Sequence, residues 1–121
     1  MSILNTDERA EIVIDAIQHY GKDNQLDKAI EEMSELTKAI CDLKRDETVQ
    51  HTVNVIEETA DVFIMMIQMM IMFGANEVDN LIEVKLARLK ERIEDERARD
   101  SVEDTIPDIF DEDAPGDQAR A

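Results

Sequence analysis

Apolar residues recur along this chain at steps of three and four, the spacing of helices that bury one face. Four such segments follow one another. The first is expected over residues 7–20, with Thr6 or Asp7 as its cap, acids in its first turn and Gly21 closing it. Its apolar face is Ile12, Val13, Ala16, Ile17 and Tyr20. The second is expected over residues 24–45, with a stripe at Leu26, Ile30, Met33, Thr37 and Ile40. After a polar connection at 46–52, a third helix is expected over 53–73, ended by Gly74. Its first half turns Val53, Ile56, Ala60, Ile64 and Ile67 inward. Its second half is apolar nearly all round, a pattern that demands cover on every side. Asn76 caps a fourth helix carrying Val78, Leu81, Ile82, Leu86, Leu89 and Ile93, which continues to about Arg99.

Composition supports an all-α chain. There are three Gly, two Pro, no Trp and seven Met, so the core is aliphatic and methionine-rich. One domain is expected at 1–99, an antiparallel four-helix bundle, followed by an acidic tail at 100–121 that lacks the apolar content to fold. Ile106, Ile109 and Phe110 are the apolar exception in that tail. The Met-rich end of the third helix, with Met65, Met66, Met69, Met70 and Met72, points to self-association as a homodimer or homotetramer.

The longest apolar run, 62–73, is broken by Gln68 and is too short to span a bilayer, which takes about 20 residues. No signal peptide is expected, because the first twenty residues are charged throughout. The lone Cys41 has no internal disulfide partner, which fits a reducing, cytoplasmic setting. Thirty acids against thirteen bases give a net charge of −17, which argues against binding a nucleic-acid backbone. Eight of the acids lie at 100–121, leaving 22 acids and 12 bases in the helical part.

Two acidic clusters interrupt the apolar pattern. Glu31-Glu32-Met33-Ser34-Glu35 reads EExxE, and Glu58-Thr59-Ala60-Asp61 reads ExxD, with 22 residues between them. Carboxylates three apart share a helix face, so two such pairs on neighbouring helices bring oxygen ligands to one point. Hard oxygen ligands without Cys or His suit Mg²⁺, with Mn²⁺ as its substitute. Glu32 falls on the border of its stripe, whereas Glu31 and Glu35 lie further out. Glu57 stands closer to the apolar stripe than Glu58 and is a possible extra ligand. Neither His19 nor His51 follows a Glu by three residues, so a di-iron centre of the Glu-x-x-His type does not fit. Lys85 falls inside the last stripe, with Arg88 and Arg92 on its edge. It either snorkels outward or faces the carboxylates and the anion they bind.

Over residues 24–95 these motifs resemble the MazG-like all-α nucleoside triphosphate pyrophosphohydrolases, related to dimeric dUTPases and phosphoribosyl-ATP pyrophosphatases. The resemblance rests on EExxE, ExxD, the apolar run after it and Lys85-Leu-Ala-Arg88-Leu. It implies Mg²⁺-dependent hydrolysis of a nucleoside triphosphate to the monophosphate and pyrophosphate. It further implies Glu32, Glu35, Glu58 and Asp61 as metal ligands and Glu31 as general base or supporting group. Lys85 and Arg88 would contact the phosphates. Clustered carboxylates repel one another, which predicts raised pKa values and a fold stabilised by metal. The competing reading is an acidic helical protein without catalysis, a DNA mimic or partner of a basic protein, motivated by the net charge. Tyr20, Phe63, Phe73 and Phe110 are the aromatics present, and nothing in them selects a base.

Overall fold

A computed structural model describes residues 4–105. It contains four helices, and no strand occurs among the described residues: α1 (Thr6–Tyr20), α2 (Lys22–Arg45), α3 (Val49–Phe73) and α4 (Ala75–Thr105). The chain divides into two compact units, Met1–Asp79 and Asn80–Ala121.

Helix boundaries follow local chemistry, with some shifts from the expected positions. Asn5, and not Thr6 or Asp7, caps α1: its side chain accepts from the Glu8 N–H, while the Glu8 carboxylate accepts from the Asn5 N–H. This reciprocal pair satisfies two otherwise orphaned donors. Gly21, at φ 87°, ends α1 and lets α2 start at once, without the two-residue gap expected from sequence. Thr48 accepts from the His51 N–H and begins α3 at Val49, inside the stretch expected to be a loop. Gly74, at φ 133°, closes α3 with its N–H on the Met70 carbonyl. α4 begins at Ala75 and extends to Thr105, into the stretch assigned to the tail. Ile106, Ile109 and Phe110 lie outside the described residues.

In the first unit α2 packs on α3, and α1 touches both. The start of α2 lies against the end of α3, where the Lys22 ammonium sits 4.8 Å from the centroid of the Phe73 ring. The buried positions of α2 are Gln25, Ala29, Glu32 and Ala39, and those of α3 are Met65 and Gln68. Small Ala29 and Ala39 bring the two backbones close, so the shared seam is the face that carries the acids.

This overturns one sequence expectation. The apolar stripes assigned inward on α2 and α3 are mostly exposed, with Ile30 60% and Ile56 66% accessible, while Leu26 and Ile67 are half-buried. Period alone marks an apolar face without naming what covers it. α2 has two candidate faces, and the chain spends the small, acid-bearing one on its own α3. Part of α3 does meet α1: Ile12, Val13, Ala60, Phe63, Ile64 and Ile67 line an apolar groove of about 380 Å³.

α4 taken by itself is exposed from Asn80 to Asp104. Its apolar residues share that fate, Leu81 being 57% accessible. No helix among the described residues is long and apolar enough to cross a membrane.

Candidate metal centre

The acid-bearing seam between α2 and α3 concentrates the chemistry. Ala29 and Ala39 set the helices close on either side of Glu32, and α3 places Glu58 and Asp61 one turn apart on the facing surface. One carboxylate oxygen from each of Glu32, Glu58 and Asp61 lies within 4.8 Å of the others. Such acids group easily on helical surfaces, and this group reaches from the seam to its partly exposed edge. Glu32 is 7% accessible, and Glu58 and Asp61 are half-buried.

Two of the oxygens carry the electrostatic tension of the site. Glu32 Oε2 and Glu58 Oε2 are buried and accept no hydrogen bond among the described residues. A buried acceptor without a donor is costly, and more so when it is charged. Burial raises the Glu58 carboxyl above its ordinary value, and the Glu35 and Asp61 carboxylates raise it further. Like charges thus converge where water cannot fully solvate them. The other Glu32 oxygen, Oε1, receives the Lys28 ammonium at 3.0 Å.

The remaining predicted site residues divide. Glu35 is exposed but adjoins Glu58, and with Lys38, Asp42 and Asn54 it lines a polar hollow of about 260 Å³ beside the group. Glu31 is exposed and pairs with Lys28 at 3.5 Å. Glu57 is exposed and stays outside the group of three. Lys85 and Arg88 belong to α4 in the second unit, and both are exposed.

Sequence reading missed Lys28, although its four-residue offset from Glu32 was available as a signal. It also missed the pair of buried glutamines. Gln25 stands seven residues before Glu32 and Gln68 seven after Asp61, each two helical turns from the acids on the same face. Gln68 is 2% accessible and its Oε1 has no hydrogen-bond partner. A polar residue in an apolar run was visible, but its burial depended on which face α2 covers.

The donor set is all oxygen, partly buried and short of positive charge, which fits a hard divalent cation such as Mg²⁺. No protein-family model, curated protein or solved structure matches this chain.

Proposed function

We propose that this protein is a Mg²⁺-dependent nucleotide pyrophosphohydrolase, cleaving a nucleoside triphosphate to the monophosphate and pyrophosphate. The observation that carries this reading is the convergence of Glu32, Glu58 and Asp61 with two buried carboxylate oxygens that accept no hydrogen bond. Evenly spread acids, as an acidic mimic requires, do not produce that arrangement. The resemblance of EExxE, ExxD and Lys85-Leu-Ala-Arg88-Leu to the MazG-like enzymes supplies the reaction class.

Glu32, Glu58 and Asp61, with Glu35 at their edge, would hold the ion, which when bound would supply polarisation of the phosphoryl oxygens and offset the charge developing on them. Water adds to one phosphorus of the α–β anhydride and the bridging P–O bond breaks. Glu31, exposed beside the centre, takes the proton that the attacking water loses. The resemblance to the MazG-like enzymes would give Lys85 and Arg88 the phosphates as partners, a role that a guanidinium and an ammonium suit.

The same reading makes the fold an antiparallel four-helix bundle completed by a homodimer or homotetramer in the cytoplasm. The exposed stripes of α2, α3 and α4 support it, because apolar faces of that extent call for a partner surface. Pyrophosphate release by the wild-type chain and by Asp61→Ala tests the function. Release that disappears in Asp61→Ala, with helical circular dichroism retained, is the expected result. Equal release from the two proteins contradicts the assignment of the site to Asp61, and no release from either favours the acidic binding protein, which one charge in thirty should barely affect.

A further inference from the structure

Among the described residues, Lys28 forms an ion pair with the acid group at Glu32. Its Nζ is 3.0 Å from Glu32 Oε1 and 3.5 Å from Glu31 Oε1. Lys38 and Arg45 of the same helix are engaged elsewhere, on Asp42 at 2.9 and 2.8 Å. The Lys28–Glu32 pair is lopsided: the lysine side chain is 47% accessible and the glutamate side chain 10%. One end of the contact is held in the seam, and the other hangs on a flexible stem with open solvent around it. Glu32 therefore has two demands on its carboxylate. Oε1 serves Lys28, while Oε2 is buried, accepts no hydrogen bond and belongs to the carboxylate grouped with Glu58 and Asp61.

We propose that Lys28 is a tethered counterion of the acid centre that competes with the divalent cation for Glu32. This inference rests on the metal-site reading above. An ammonium at the edge of the group lowers the repulsion among Glu31, Glu32 and their neighbours and so stabilises the metal-free fold. The same positive charge opposes a divalent ion entering beside it. Lys28 can yield because its stem is long and its head half-solvated, so it swings into water without leaving a charge buried. Lys28 is a positioning and competing residue, and no role in bond breaking is assigned to it.

The direction of the effect separates competition from a merely structural contact. Losing a structural contact leaves metal binding unchanged or weakens it, whereas losing a competitor strengthens it. The full chain is stripped with EDTA and dialysed, then titrated with Mg²⁺ and Mn²⁺ by calorimetry and melted with and without metal. The samples are wild type, Lys28→Met and Lys28→Arg. Lys28→Met is expected to melt lower than wild type without metal and to bind either ion about fivefold more tightly, the scale of one partly exposed ion pair. Its rise in melting temperature with metal should exceed that of wild type. Lys28→Arg, which restores the charge, should return both values toward wild type. If Lys28→Met is not helical, Lys28→Gln takes its place. Equal or weaker metal affinity in the neutral variant overturns the inference while leaving the metal site standing. A folded wild type that responds to neither ion overturns the site, and the inference with it.

Discussion

Glu58 is where the physics of single residues is most exposed. Burial first, and the Glu35 and Asp61 carboxylates next, raise its pKa from an ordinary 4.5. The folded protein therefore holds that proton more tightly than the unfolded chain does. Its penalty is absent below the ordinary value and complete above the folded one, so this contribution to stability falls as pH rises. Glu58→Gln removes the charge at nearly constant shape. Without metal at neutral pH it should melt higher than wild type, and it should lose most of the stabilisation that Mg²⁺ gives. A lower melting temperature in EDTA would show that Glu58 is well compensated as it stands. Gln68 offers a second test of the same seam. Its buried Oε1 has no donor, and removing such a group relieves a cost of about 1–3 kcal/mol. Gln68→Met, close in shape, should raise the urea midpoint with an unchanged slope.

Individual elements were legible where local chemistry punctuates the chain. Gly21 and Gly74 mark the ends of α1 and α3 in sequence and structure alike. The start of α3 was hidden because Gln50, His51 and Thr52 look like a loop, and the single cue was Thr48 as a cap. Thr48→Ala should therefore cost about 1 kcal/mol in urea unfolding, the usual worth of an N-cap side chain. A change near zero would mean that packing alone sets the α3 terminus. Faces were read less well than boundaries. Ile30 and Ile56 advertised themselves as core, yet the seam was built on Ala29, Ala39 and the acids. Period finds what is apolar, while close approach of two helices is decided by what is small. The acid motifs were visible as spacing, and Glu32, Glu58 and Asp61 do come together. Lys28 and Gln68 stayed hidden because their roles depend on that same seam.

At the scale of the molecule, two opposed titrations shape the pH response. Asp42 is held below its ordinary 3.8, chiefly by its hydrogen bond from Lys38 and then by the Lys38, Arg45 and His51 charges. Its stabilisation is present above 3.8 and is lost as pH falls through its lowered folded value. Glu58 works in the other direction and at higher pH. Metal-free melting temperature should therefore rise as pH drops through the raised Glu58 value toward about 4.5 and fall once pH passes well below 3.8. A steady decline from neutral pH downward contradicts this account, and Glu58→Gln should flatten the rise. The exposed stripes make a prediction of mass. Sedimentation equilibrium should give a multiple of 13.8 kDa, and Ile56→Glu should shift the population toward a single chain. A monomeric wild type would mean that these faces have no partner copy.

The most direct test of the central claim is pyrophosphate release from a panel of canonical and modified nucleoside triphosphates, each with Mg²⁺ and with EDTA. The account predicts release that requires the metal. Folded protein that releases no pyrophosphate from any triphosphate in Mg²⁺ contradicts it.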